Sequence, residues 1–540
     1  LVTQCAPQKK FRRHMIRGRP MGGFVPKPTR NEKYARDISF VADSFQNKVD
    51  HFSNTSTAVY TQRYWYNDHW YTPGGPVFLM LGGESEEDPY WVQDGDLEWL
   101  QLAAQNGAFV FLLEHRYYGQ SRPTPDMSTA NLVYLSSAQA LEDMAVFING
   151  MKAKFPQLAG AHWVTFGGSY SGALAAWARV KYPGLVSMAV GSSGPVQAEV
   201  DFVEYLEVVQ NSITRTSPQC AQSVTTAMNQ VASLLQTASG RQSLKTTFNL
   251  CEDLDPTDAK QIETFWQTVY SPYMEVVQYS GDNAGFFASL LTIQNAICRF
   301  HNTQDNSLTK LREVNNYFNA LMGYSGCEDI DYSSFIEFMQ DTTYGDAQEV
   351  RAWVWQTCTE FGYYQSTDSH TAGPFFGGEP ALPVQYYIDE CTAIYGPDYN
   401  SASVAAAVAN VNSYYGGRDH MDSSYIILPN GNFDPWHALG KLNSTTTLIT
   451  PVVIDGAAHC ADMYAPLPSD TPALTAARNL IAAQLHQWLQ RPAPTFTELL
   501  LPGAAHCADM YAPLPSDTPA MTAARNLIAA QLHQWLQSIN

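Results

Sequence analysis

Three absences narrow the field first. No Cys-x-x-Cys pair occurs, which removes the zinc ribbon and the thioredoxin-type redox centre from consideration. No apolar run reaches the ~18–20 residues of a membrane span, so a soluble chain is expected. Basic residues are few: 31 Lys and Arg stand against 51 Asp and Glu, for a formal net charge of −20. That field repels phosphate backbones, and no nucleic-acid partner is expected. The acid excess suits a mildly acidic compartment, where protonation brings the charge nearer zero. Charged residues are 15% of the chain and hydrophobic ones 45%, the balance of a packed globular protein.

Much is present. At 540 residues the chain exceeds one ordinary core, so a large domain with an insertion, or two domains, is expected. The 30 Tyr and 12 Trp imply extensive buried aromatic surface. Six of the nine Cys fall between 220 and 391, which reads as disulfide staples in one subdomain of a protein from the secretory pathway, secreted or lysosomal. Asn54 and Asn443 each open an Asn-x-Ser/Thr glycosylation acceptor. The first residue is Leu1 and no apolar signal region follows it, so a missing leader or a fragment is expected.

Residues 1–35 are rich in Lys, Arg, Pro and Gly and lack periodicity, the pattern of a mobile basic leader. From 36 to 195 short runs apolar throughout (Val77 to Leu81, Ala108 to Leu113, Trp163 to Phe166) alternate with helical patterns. Such runs suit parallel strands buried on both faces. Leu141, Met144, Ala145, Ile148 and Met151 mark one helix face between 140 and 155. From 196 to 420 the alternation stops, and long helical patterns with the clustered Cys predict a helical cap. Over 421–490 it resumes, with strands predicted near Tyr425 to Leu428 and Thr446 to Ile454 and a helix over 472–489. Residues 491–540 contain Gly503 to Gln537, which repeats Gly456 to Gln490 with one difference, Leu474 against Met521. Near-identity of that degree indicates a recent duplication or a gene-prediction fault, and the second copy is expected to be peripheral. The expected fold class is α/β, a doubly wound α/β-hydrolase sheet with a large disulfide-containing cap.

The chemistry centres on Gly167-Gly168-Ser169-Tyr170-Ser171-Gly172, set between a strand and a helix of small residues. This is the setting of a nucleophile elbow. Small residues two before and two after Ser169 let the tight turn form, and the turn presents the hydroxyl beyond the sheet. Ser171 is the rival nucleophile. A hydroxyl needs a base and a group to orient that base. Asp434 and His459 follow the two later strands in the order such folds use, Ser then Asp then His. Alone, Asp434 reads equally as a turn-former before Pro435, and His459 as a surface histidine.

These residues carry a resemblance. Val49-Asp50-His51-Phe52, Leu81-Gly82-Gly83-Glu84, Glu114 to Gly119, Gly167 to Trp177, Trp355 to Glu360, Asn430 to Trp436 and Ala458 to Asp462 together resemble the serine peptidase family of lysosomal Pro-Xaa carboxypeptidase, dipeptidyl peptidase II and thymus-specific serine protease. The thymus-specific branch is the most similar. The resemblance implies cleavage after proline near a peptide end, with Ser169 as nucleophile, His459 as base and Asp434 as its orienter. It implies an oxyanion hole from the Tyr170 N–H and the Gly82-Gly83 turn, and Trp436 as a wall of the proline pocket. Glu84 is a candidate for pairing a substrate amine, or for holding its own loop. Ala173 and Cys460 depart from the carboxypeptidase branch and bear on the proline preference. Peptides are the expected partners, a homodimer is a compatible assembly, and no cofactor or metal is expected. The competing readings are a carboxylester hydrolase on the same fold and a binding protein that retains the triad.

Overall fold

The computed structural model describes residues 15–20, 23–26, 38–281, 289–371, 375 and 381–491. Apart from Arg491, the duplicate expected over 491–540 lies outside the described residues.

An eight-stranded sheet forms the centre. Its strands are β1 (Val41–Lys48), β2 (Val59–Asn67), β3 (Val77–Leu81), β4 (Phe109–Leu113), β5 (Trp163–Gly168), β6 (Met188–Ser192), β7 (Ile426–Gly431) and β8 (Ile449–Ile454). Their spatial order is β8-β7-β6-β5-β3-β4-β2-β1. β1 and β2 are antiparallel, as are β2 and β4, and every other pairing is parallel. This order is that of an α/β-hydrolase. Alternate residues of each central strand enter opposite cores. Val77, Leu79 and Leu81 pack with Phe109, Phe111 and Trp163 on one face. Phe78 and Met80 pack with Val110, Leu112, Val164 and Phe166 on the other. Strands covered on both sides must be apolar throughout, which is why those runs were readable.

Helices close both faces. Glu98–Asn106 and Pro472–Leu489 lie on the Phe78 side, the latter through Leu474, Ile481, Leu485 and Trp488. Ser137–Lys154 and Tyr170–Lys181 lie on the other. The Ser136 side chain caps the first of these by accepting from the Gln139 N–H. Every residue of the stripe Leu141, Met144, Ala145, Ile148 and Met151 is buried.

Between β6 and β7 the chain runs mostly through helices, from Glu204–Thr216 to Ser401–Tyr415. Three disulfides staple this stretch: Cys220–Cys298, Cys251–Cys327 and Cys358–Cys391, with Cα separations of 5.2, 5.0 and 5.8 Å. They close spans of 78, 76 and 33 residues. Loops of that size stabilise by roughly 3–4.5 kcal/mol each in the chain-entropy account.

The leader differs from its expectation. Met15–Ile16 and Arg19–Pro20 pair as an antiparallel ribbon, and Met15, Ile16, Arg17, Arg19 and Phe24 are all buried. The composition looked solvent-borne because a guanidinium rarely enters a core. Here Arg17 is buried against Glu390 at 3.2 Å and lies over the Tyr364 ring. Those partners sit more than three hundred residues away, so no local pattern announced them.

Candidate active site

β5 ends at Gly168, and the helix Tyr170–Lys181 begins one residue after Ser169. Ser169 makes the turn with φ 59° and ψ −128°, a conformation costly for any residue with a Cβ and found where function demands it. The turn tolerates nothing larger than glycine at 167: a Cβ there would stand 2.1 Å from the Ser171 carbonyl oxygen. Ser171 Oγ is bound inside the elbow. It donates to the Gly168 carbonyl at 2.9 Å and accepts from the Gly168 N–H at 3.1 Å. Its hydroxyl is a brace for the turn.

Asp434 begins three residues after β7, and His459 five after β8. Since β5 to β8 are parallel neighbours, all three loops leave the same edge of the sheet. His459 Nδ1 lies 2.8 Å from Asp434 Oδ2, with both side chains wholly buried. The other carboxylate oxygen accepts from the Trp436 N–H at 3.0 Å and caps the turn Pro435–Leu439. Asp434 is thus both a turn-former and the partner of His459. Burial works against charge on the imidazole. Asp434 outweighs it, with a contribution from the Cys460 side chain, and His459 is raised well above its ordinary value. His459 Nε2 has no hydrogen-bond partner among the described residues. The His459 loop rests on the elbow itself, because a Cβ on Gly168 would stand 3.0 Å from Cys460 Sγ. A buried imidazole held at one nitrogen and open at the other, on a loop that packs against the elbow, can accept a proton from a hydroxyl.

Tyr170 opens its helix, so its N–H has no intrahelical acceptor and can serve an oxyanion. Gly83 is different. Its N–H already donates to Glu87 Oε1 at 3.2 Å. Burial, with Glu114 nearby, pushes the Glu87 carboxyl up to about 8. Trp436 is buried, with its indole N–H on Gln278 Oε1 at 2.9 Å and its ring among Phe202, Tyr205 and Tyr363. Glu84 is buried and its pKa is raised, chiefly by desolvation. Its Oε1 accepts from the Phe24 N–H at 2.9 Å, and its Oε2 has no partner among the described residues. Asn54 and Asn443 are both exposed.

Sequence reasoning missed several neighbours of the site. Phe24 stands 5.9 Å from the His459 ring and Tyr279 6.0 Å, and the Gln278 carbonyl accepts from the His459 N–H at 2.9 Å. The first belongs to the supposed leader and the others to the end of a cap helix, and neither setting carries a signal of its own. Among the described residues no cluster of three or more His, Cys, Asp or Glu could hold a metal ion, and no helix is long and apolar enough to cross a membrane.

The family model of serine carboxypeptidase S28 matches residues 47–481. The chain belongs to the serine carboxypeptidase S28 family. It is therefore a serine peptidase by kinship, and the matched stretch contains the elbow, Asp434 and His459. A Caenorhabditis elegans protein named as a serine protease is 61% identical over 493 residues, covering 91% of this chain and 96% of its own. Human thymus-specific serine protease is 34% identical over 454 residues, 82% of this chain and 85% of its own. Mouse lysosomal Pro-X carboxypeptidase is 28% identical over 475 residues, 86% and 91%.

Proposed function

We propose that this S28 peptidase cleaves after proline near a peptide end through an acyl-enzyme on Ser169. The observation that carries the reading is the buried His459–Asp434 pair at 2.8 Å beside the strained Ser169 turn. Ser169 Oγ attacks the scissile carbonyl carbon while His459 Nε2 takes the hydroxyl proton. The Tyr170 N–H steadies the oxyanion, joined by the Gly83 N–H once Glu87 yields it. The intermediate collapses, the C–N bond breaks, and His459 returns the proton to the leaving amine. Water then repeats the sequence on the ester and frees the acid. Asp434 holds the imidazole tautomer and offsets its charge.

Proline at the scissile position suits an aromatic wall such as Trp436, because its ring is apolar and rigid. The acidic lining favours a particular end of the peptide. Glu84, Glu86, Glu87 and Asp88 surround a cavity beside Gly83 and Gly168. An ammonium would satisfy the unpartnered Glu84 oxygen and draw Glu84 and Glu87, whose carboxyls burial raises, into their charged forms, a stabilisation that a terminal carboxylate does not supply. The reading is therefore release of short amino-terminal fragments. The disulfides and the exposed acceptors Asn54 and Asn443 suit a secreted or lysosomal setting. The test is mass spectrometry of products from an unbiased peptide library, repeated after amino-terminal acetylation and after carboxyl-terminal amidation. Acetylation should abolish cleavage and amidation should not. Cleavage blocked only by amidation would place the enzyme at the other end, and scattered internal cleavage would refute an exopeptidase.

A further inference from the structure

The space over the elbow is filled by the chain's own N-terminal segment. The Phe24 ring stands 5.1 Å from Trp353, 5.1 Å from Trp436 and 5.9 Å from His459. Its N–H donates to Glu84 at 2.9 Å, and its carbonyl accepts from the Tyr279 hydroxyl at 2.8 Å. Val25 follows against the elbow, where a Cβ on Gly168 would stand 3.1 Å from its methyl. The Pro26 carbonyl accepts from the Tyr464 hydroxyl at 2.7 Å. Upstream, Gly18 lies so close to Trp436 that a Cβ would come within 2.6 Å of the indole. Arg17 pairs with Glu390 at 3.2 Å, and Arg19 with Glu349 at 2.9 Å.

Main-chain groups bound by the cleft walls, with a side chain seated in an aromatic pocket, are how an extended peptide is recognised. With this segment in place Ser169 is 2% exposed, and His459 and Asp434 are not exposed at all. The cavity left beside the elbow measures about 30 Å³. It holds one or two waters and no peptide.

We infer that residues 15–20 and 23–26 are a tethered peptide ligand of the S28 cleft, which keeps the intact chain latent until they leave. The inference rests on the proposed site, since the cleft filled is the one that holds Ser169. Tethering presents the segment at an effective concentration on the order of millimolar, which defeats a diffusing peptide of similar affinity. Cutting the tether converts it into a ligand that dilution removes. The connecting sequence carries Arg30, Lys33 and Arg36, each a site where a trypsin-class endoprotease could add water across the peptide bond that follows.

The test places the recognition sequence of a site-specific protease at positions 29–35 of the full chain. Fluorophosphonate labelling is then timed before cutting and after cutting with dilution. The expected result is at least a tenfold faster labelling of the cut protein, reversed by adding a synthetic peptide of residues 15–26. Measurable labelling at equal rates before and after cutting would overturn the inference. A second measurement needs no chemistry at Ser169: anisotropy of the fluorescent peptide with cut S169A protein. Saturable one-to-one binding, weakened at least tenfold by Phe24→Ala in the peptide, supports the tethered ligand even if neither form labels, and the fault would then lie with the assigned nucleophile. No binding overturns it.

Discussion

His459 and Asp434 meet at 2.8 Å with neither side chain exposed to solvent. A pair so placed ties catalysis to pH in a definite sense. The base must be neutral to accept the Ser169 proton, and His459 is raised above its ordinary value. Activity of the unblocked enzyme should therefore rise with pH, with the midpoint of its acid limb above 6.5. Asp434→Asn removes the main group that raises His459 and leaves burial, which lowers it. The limb should then move to lower pH while kcat falls by about 10⁴-fold, as when a triad carboxylate is lost. The pH dependence of kcat/KM of the two proteins checks this. An unmoved limb in the variant would separate Asp434 from the base.

Ser171→Ala should keep its activity within a fewfold. The lost Oγ contacts to Gly168 should cost about 1 kcal/mol of stability, the net value of a buried hydrogen bond. Denaturant unfolding alongside a peptide assay separates these two effects. Loss of all turnover with intact folding would restore Ser171 as the nucleophile.

Asp143 is fully buried in the first half of the chain. Arg116 reaches it through two nitrogens at 2.6 and 2.7 Å, with His51 and the Tyr60 hydroxyl each at 2.8 Å. Burial alone would raise this carboxyl, but Arg116 and His51 hold it below its usual value. Its stabilisation is thus complete above the unfolded carboxylate value of ~3.9 and is lost as pH falls through the lower folded value. Asp143→Ala leaves Arg116 buried without its partner, and should cost about 3–5 kcal/mol. Thermal melts should show the loss at neutral pH. A variant as stable as the parent would show that water or another acceptor replaces the carboxylate.

The duplicated sequence offers a rival base in His506, which lies outside the described residues. His459 already contacts Asp434, and the helix Pro472–Leu489 that follows it fills its groove through Leu474, Ile481, Leu485 and Trp488. Consequently His459→Ala should abolish turnover and His506→Ala should leave it unchanged. A peptide assay on both proteins decides between them, and a dead His506 variant would reverse the assignment.

How much was legible follows from what each residue faces. β3, β4 and β5 were readable because burial on both faces demands unbroken apolar runs. β1 was not: it is an edge strand, exposed along most of its length, and its polar sequence Val41–Lys48 carries no such demand. The elbow was legible because Gly167 and its neighbours answer to local sterics. Asp434 and His459 were legible through their order after strands. Phe24, Gln278 and Tyr279 were not, because they reach the site through tertiary packing that leaves no periodic trace. Arg17 misled for the same reason, its charge being met by Glu390 from the far end of the cap.

Everything proposed for catalysis depends on Ser169 as the nucleophile. The most direct test of that role is to release the N-terminal segment, label with a fluorophosphonate, and locate the adduct by peptide mapping. One adduct per chain is expected, on Ser169, with both labelling and peptide hydrolysis lost in Ser169→Ala by about 10⁴-fold or more. An adduct on another residue, or hydrolysis that survives in Ser169→Ala, would contradict it.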